Sequence, residues 1–172
     1  MHFMTVAEAR RWCTARVPTD DAGSPARPSR HTRHARVPVS SATAFCRAFE
    51  IALQPRDECL LWVSESDVWR SSENLHLYYR LRQSYGDLRR LDEAPAHLFH
   101  PFETADLVSF LQVGIQNGWD MHVVPSEGYI WAFITHDEVV ELASNDAENF
   151  GLVESFANEH GGSQIVSIAP AT

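Results

Sequence analysis

Cys59-Leu-Leu-Trp-Val63 is an unbroken run of five apolar residues, and it decides the arrangement of the rest of the chain. An apolar run of this length, without polar alternation, is typical of a strand that is covered on both faces. The segment before it predicts a helix over residues 42–53, because Ser40-Ser41 can cap its start and Gln54-Pro55 breaks it. A helix followed by a doubly covered strand indicates helices packed against a sheet.

A second pair of apolar segments predicts a hairpin near residues 119–134. Trp119-Asp-Met-His-Val-Val124 and Tyr129-Ile-Trp-Ala-Phe-Ile134 flank Pro125-Ser-Glu-Gly128, which has the composition of a turn. With 172 residues, the chain is long enough for one domain with one core. We therefore predict a single domain over residues 1–172 of the α/β or α+β class, with a mixed sheet, packed helices and this hairpin.

Capping patterns and apolar spacing predict two further helices. Thr5-Val-Ala-Glu8 has the form of a capping box and predicts a helix over residues 6–16. Residues 106–117 carry an apolar stripe at helical spacing. Thr104 is the expected N-cap of that helix, and Gly118 lies just beyond its end, where a left-handed residue is favoured.

The C-terminal part of the chain predicts three more elements. Thr135-His-Asp-Glu138 has the form of a second capping box, with Glu138 as its N3 residue, and predicts a helix through residues 139–142. Residues 149–160 predict a helix that ends at Gly161-Gly162, and residues 164–168 predict a last strand.

Residues 73–85 fit two structures. Apolar and polar residues alternate from Leu75 to Leu81, which is the periodicity of a strand. Ser72 as an N-cap and Gly86 beyond the end favour a helix instead. We predict the helix.

Residues 17–35 are rich in Pro, Ser, Arg and His and contain few apolar side chains, so they predict a basic arm or loop. Arg36-Val-Pro-Val39 follows as a short edge strand, a place where proline is tolerated.

Charge is divided unevenly along the sequence. The net charge is −9, yet all 14 cationic side chains are arginines at or before Arg90, and residues 91–172 carry 13 acidic side chains and no cation. A negative field on one part of a surface attracts positively charged partners and repels nucleic acid. We therefore expect a basic protein as partner, no nucleic acid, and a basic arm that contacts the chain's own acidic half.

Residue patterns of covalent catalysis are scarce. Cys13, Cys46 and Cys59 are widely spaced, and the sequences around them are typical of reduced, buried thiols. No G-x-S-x-G motif surrounds Ser64 or Ser66. We expect no cofactor, and we favour a protein that is not an enzyme.

Four residues at three-residue spacing are weak candidates for a metal site: His97, His100, Glu103 and Asp106. On one unbroken helix they would share a face, and two histidines with a carboxylate can bind zinc or iron. Pro101 disfavours helix at His100 and so separates the two pairs. We therefore favour histidines on a loop, acids at a helix N-terminus and no metal.

Contact with a basic partner is expected from four acidic residues and one aromatic anchor: Asp120, Asp137, Glu138, Glu141 and Trp69. In addition, Ser64-Glu-Ser-Asp67 follows the buried strand directly, at the end of a sheet where ligand sites form in α/β proteins. A pocket there would contain Glu65, Asp67 and Trp69.

The leading hypothesis is a non-enzymatic protein-interaction module, inhibitory or immunity-like, whose acidic C-terminal half binds a basic partner. In size and acidity the chain resembles the small acidic inhibitors that protect bacteria from basic nuclease toxins, although no diagnostic motif matches. The alternative is a metal-dependent hydrolase with His97, His100 and Glu103 as ligands and Asp106 or Glu65 as base. A third hypothesis is a homo-oligomer that pairs its basic arm with a neighbour's acidic half.

The sequence has neither a bilayer-spanning apolar stretch nor a secretory signal, which predicts a cytoplasmic protein without membrane contact.

Overall fold

The computed structural model describes residues 1–26, 31–53, 58–66, 75–126 and 130–144. Within these residues, four helices pack against a seven-stranded sheet and form a single α+β domain. This confirms the predicted fold class. Each of the six strand pairings in the described part of the sheet is antiparallel, so the sheet is not mixed there.

The helices are α1 (Val6–Arg16), α2 (Ala42–Leu53), α3 (Leu75–Ser84) and α4 (Thr104–Gln116). The strands are β1 (His2–Met4), β2 (His31–Arg36), β3 (Cys59–Glu65), β4 (Ala96–Phe99), β5 (Asp120–Pro125), β6 (Trp131–Ile134) and β7 (Val139–Ser144). Their order across the sheet is β1-β4-β3-β5-β6-β7-β2. Among the helices described, none has the length and apolar character needed to cross a lipid bilayer.

Strand β3 lies between β4 and β5, and its first five residues are all buried, as the apolar run predicts. Leu61 and Val63 belong to the larger core, which also contains residues of α2, α3 and α4. Leu60 and Trp62 belong to a smaller core on the opposite face, which contains residues of α1. Because successive side chains of a strand point to opposite faces, this one strand supplies both cores.

The strong local patterns are confirmed. Thr5 caps α1, and both hydrogen bonds of its capping box with Glu8 are present. Strands β5 and β6 form the predicted hairpin. Helix α4 starts one or two residues earlier than predicted, with Glu103 rather than Thr104 as N-cap, and Gly118 adopts a left-handed φ of 63° just beyond its end.

The prediction of a helix over residues 73–85 is confirmed from Leu75 onward, and residues 73 and 74 lie outside the described residues. Tyr78 and Arg82 are buried one turn apart on α3. Gly86 has a φ of 81° beyond the end of the helix, as its position predicts.

The helix predicted from Thr135-His-Asp-Glu138 is wrong. These residues form the turn between β6 and β7, where the Glu138 N–H donates to the Thr135 carbonyl at 3.2 Å. Glu138 itself adopts a left-handed φ of 62°. The following residues pair with β6 on one side and β2 on the other, so tertiary pairing outweighs the local capping pattern. The predicted helix at 149–160 and strand at 164–168 lie outside the described residues.

The predicted basic arm gives way to a strand before its end. Residues 31–36 form β2 at the edge of the sheet, so the edge strand lies at His31–Arg36 and not at 36–39. Its pairing with β7 joins the basic N-terminal part to the acidic half, as expected, and Arg36 lies 3.4 Å from the Glu138 carboxylate. Pairing with β7 explains the shift, because it satisfies backbone groups that a loop would expose to water.

A buried arginine fastens α3 to the rest of the domain. The Arg82 guanidinium is fully buried and donates to the Tyr78 hydroxyl at 2.7 Å, to the Ala94 carbonyl at 3.0 Å and to the Asp87 carboxylate at 3.2 Å. It also lies over the Phe3 ring of β1 at 4.6 Å. One side chain therefore connects α3, the segment after it and β1.

Asp87 balances this charge. Burial by itself would raise the pKa of the Asp87 carboxyl, but hydrogen bonds from Arg89 and Arg82 outweigh burial and lower the pKa to about 2. Arg89 in turn donates to the Phe3 carbonyl at 2.9 Å. The carboxylate is thus held ionised between two guanidinium groups.

We expect Asp87→Ala to lower the free energy of unfolding by about 3–5 kcal/mol, because it leaves the Arg82 charge buried without a partner. Asp92→Ala is the matched control, since Asp92 forms an exposed ion pair with Arg90 at 2.9 Å. Removing that pair should cost about 0–1 kcal/mol. Urea denaturation of both variants measures the difference, and equal losses would contradict the role given to Asp87.

The Asp87 contribution should also depend on pH. A carboxyl group whose folded pKa is lowered stabilises the fold above its unfolded pKa of about 3.9, and this stabilisation is lost as pH falls through the folded value. The difference in unfolding free energy between the natural protein and Asp87→Asn should therefore shrink as pH falls from about 4 to 2. Urea midpoints of the two proteins across this range test the expectation, and a constant difference would rule it out.

Candidate functional site

A cleft of about 510 Å³ opens at the carboxyl end of β3, where the strand leaves the cover of the two cores. Its walls come from the start of α1, from Ser24 and Pro25, and from residues 91–95. Trp62 and His122, which face each other on β3 and β5, form part of its floor. Volumes of this size are typical of ligand pockets.

Three charged side chains of the described residues line the cleft. Arg10 comes from α1, Glu65 from the end of β3, and Asp92 from the segment between α3 and β4. Arg10 and Glu65 are exposed, and neither forms an ion pair in the described part of the chain. Asp92 forms an exposed ion pair with Arg90. Among the described residues, the cleft therefore holds charges of both signs, of which Arg10 and Glu65 have no ion-pair partner.

The turn between β6 and β7 places a hydrogen-bonded pair, His136 and Asp120, beside Glu65. Asp120 is the β5 neighbour of Glu65 and accepts hydrogen bonds from the His136 backbone N–H at 2.7 Å and from the His136 ring Nδ1 at 2.8 Å. The bond to Asp120 raises the pKa of His136 despite some opposing desolvation, and Asp137 and Glu65 raise it further. Asp120 thus holds the turn in place at the rim of the cleft.

The predicted partner-binding residues lie in different surroundings in the structure. Asp137 is exposed, with its carboxylate 3.7 Å from His136 Nε2. Glu138 is committed to its own chain, since it accepts from the Val39 N–H at 3.2 Å and pairs with Arg36. Glu141 lines a shallow depression farther along the sheet. The structure therefore groups Asp120 and Asp137 with Glu65, and it leaves Glu138 and Glu141 elsewhere. Asp67 and Trp69 lie outside the described residues.

His97, a weak metal candidate, is a core residue of β4 and not a loop residue, which corrects the sequence-based interpretation. The Tyr78 hydroxyl accepts from Arg82 and so donates its own hydrogen to His97 Nε2 at 2.8 Å. Burial and the nearby Arg82 charge lower the pKa of His97 to about 3. A neutral ring fits its place because all four residues of β4 are buried.

The other three metal candidates lie between the end of β4 and the first turn of α4. His100 lies just after β4, with Nδ1 3.7 Å from the Glu58 carboxylate. Glu103 accepts from the His100 N–H at 2.8 Å and pairs with the Met1 amine. Asp106 lies in the first turn of α4, as the favoured interpretation expects. Over the residues that the structure describes, no group of three or more His, Cys, Asp or Glu side chains is placed to hold a metal ion.

The three cysteines are free and buried, as predicted. Burial raises the pKa of Cys13 to about 11 and that of Cys46 and Cys59 to about 12. Thiols with such values carry almost no thiolate at neutral pH, and thiolate is the nucleophilic form.

The sequence predicted a pocket at Ser64-Glu-Ser-Asp67, and Ser64, Glu65 and Ser66 do line the cleft. Arg10 and Asp92 were missed, because an exposed position on a helix or in a short connecting segment carries no signal of what lies across from it. His122 alternates with buried residues along β5, and this pattern marks it as a residue of the less buried face. That alternation was the one available signal.

We expect Asp120→Asn to lower the pKa of His136 toward the ordinary histidine value, because the charged hydrogen-bond acceptor is lost. Proton NMR titration of the His136 ring measures it, with Asp137→Asn as a control that should produce a smaller change. Since the folded pKa is raised, the stabilisation from this pair is complete below the unfolded pKa of about 6.5 and is lost as pH rises through the folded pKa. An unchanged titration in Asp120→Asn would contradict the assignment.

Comparisons with protein families, with curated proteins and with solved structures find no match for this chain. The function therefore has to be argued from the geometry and charge of the residues described above.

Proposed function

We propose that this protein is a non-enzymatic interaction module that binds a basic segment of a partner protein in the cleft at the end of β3. The observation that carries the proposal is the cleft itself, in which Glu65 and Asp92 are exposed on two different walls. Asp120 and Asp137 extend the acidic character beyond Glu65. The binding surface thus includes Glu65 as well as residues of the acidic C-terminal half.

Binding is favoured over catalysis by the state of the reactive groups. The Ser64 hydroxyl, beside the cleft, donates to the Asp120 backbone carbonyl at 3.2 Å, and that contact supplies no base. The His122 ring packs against Phe133 with a centroid distance of 4.6 Å. The buried thiols are held protonated, and His97 is held neutral inside the core. A nucleophile activated by a neighbouring base is the usual signature of covalent catalysis.

The other two hypotheses have weaker support. The hydrolase hypothesis needs His97, His100 and Glu103 as joint ligands. His97 is instead hydrogen-bonded to Tyr78 inside the core, whereas Glu103 accepts from the His100 N–H and pairs with the Met1 amine. Oligomerisation through the basic arm competes with the pairing of β2 to β7 of the same chain. Both remain open to direct measurement, by metal analysis and by sedimentation at low and high salt.

Exposed carboxylates of this kind act mainly on the rate of association. Charges at the rim of an interface steer the encounter with an oppositely charged partner, and salt screens them over about 10 Å at 0.1 M ionic strength. A basic partner should therefore bind faster at low salt, and the gain should depend on the carboxylates of the cleft.

The test is affinity capture with the tagged full-length protein from lysate of its own cells, at low and high salt, followed by binding kinetics with the captured partner. We expect a basic protein whose association at low salt slows about tenfold for the double variant Glu65→Gln, Asp92→Asn. Glu50→Gln is the matched control, because Glu50 lies on α2, which packs on the opposite face of the sheet. It removes one carboxylate without touching the cleft.

Two results would contradict the proposal. One is a partner whose association rate is the same for the natural protein and the double variant. The other is a slowing by Glu50→Gln that is as large, per carboxylate removed, as the slowing by the double variant, since this would make the effect one of net charge and not of the cleft.

A further inference from the structure

Arg10 is a basic residue in the lining of a cleft that also contains two acidic residues. It lies on the α1 wall, with Glu65 and Asp92 on the other walls, and it forms no ion pair with either of them in the described part of the chain. A cleft built only for cations would gain nothing from an arginine at this place, because Arg10 repels the ligand that the carboxylates attract.

The position of Arg10 is supported from behind. Its side chain runs along Gly23, where an added Cβ would lie 3.4 Å from both Cγ and Cδ of Arg10. Gly23 has a φ of 76°, in a turn where the Asp20 carboxylate accepts from the Ala22 and Ser24 backbone N–H groups at 2.9 and 2.8 Å. This turn gives the arginine stem a fixed wall to rest on.

We infer that the cleft takes the C-terminal residue of a partner chain when that residue is arginine or lysine. The α-carboxylate of the ligand binds the Arg10 guanidinium, and its side-chain cation binds Glu65, with Asp92 as a second acceptor. This inference rests on the proposed function and narrows it from a basic segment to a basic chain end.

Charge complementarity distinguishes a chain end from an internal segment. An internal basic segment presents cations and neutral amides, so nothing in it compensates Arg10. A C-terminal arginine presents one anion and one cation a few bonds apart, and an arginine–carboxylate contact can be bidentate. Apolar side chains in the lining, among them Val6, Leu91 and Pro95, can cover the methylene stem between the two charges.

Fluorescence polarisation at low salt tests the inference with three labelled tetrapeptides: Gly-Gly-Ser-Arg with a free carboxylate, the same peptide as C-terminal amide, and Gly-Gly-Ser-Gln with a free carboxylate. We expect the arginine acid to bind at least about tenfold more tightly than either of the other two, because each of them lacks one charged hydrogen-bonded pair.

Variants assign each charge to its side chain. Arg10→Gln should abolish the preference for acid over amide, whereas Arg11→Gln, the next and equally exposed arginine of α1, should retain it. The double variant Glu65→Gln, Asp92→Asn should instead abolish the preference for arginine over glutamine. Circular dichroism confirms that each variant is folded.

The outcomes separate this inference from the proposed function. If the acid and the amide bind equally while the arginine preference persists and depends on Glu65, the inference about the chain end is overturned and the basic-segment proposal stands. If none of the peptides binds but a basic partner is still captured through the cleft carboxylates, the inference is overturned in the same way. If neither the peptides nor a captured partner responds to Glu65 and Asp92, both are overturned.

Discussion

The pairing of β3 with β4 on one side and with β5 on the other is the constraint on which the rest of the structure depends. A strand with neighbours on both edges has its backbone groups paired within the sheet, and apolar side chains on both of its faces need cover, which the helices supply. The pairing with β5 shifts in register between Val63 and Glu65. Such an irregularity changes the direction of a strand. The cleft lies where β3 stops being a regular, covered strand.

Local sequence patterns predicted the parts of the fold that local forces determine. The apolar run of β3, the capping box of α1 and the two apolar segments of the β5–β6 hairpin each predicted the structure that formed. Thr135-His-Asp-Glu138 fits two structures, because a Thr followed three residues later by Glu can cap a helix or form a hairpin turn. Only the pairing of the next residues with β6 and β2 decides between them, and β2 lies about 100 residues away in the chain.

Short strands that contain polar residues could not be predicted from local sequence patterns either. β1 has three residues and β4 has four, and β4 contains His97, which looks like a surface or ligand residue in the sequence. His97 becomes a core residue because Tyr78 of α3 and the aromatic rings around it give it a hydrogen bond and an apolar shell. The candidate site has the same dependence on distant segments. The position of Glu65 follows from the end of β3. Arg10 and Asp92 come to the same cleft only when α1 and residues 91–95 pack against the sheet.

The position of β2 at the edge of the sheet has a consequence for how the protein is made. Strands β5, β6 and β7 follow one another in the chain and can pair as they emerge, but His31 pairs with Ser144, which a ribosome adds more than 100 residues later. Closing so long a loop is slow compared with forming a hairpin. Residues 31–36 can therefore pair with β7 only after residues 139–144 have been synthesised, and until then water must hydrogen-bond the backbone groups that this pairing later satisfies.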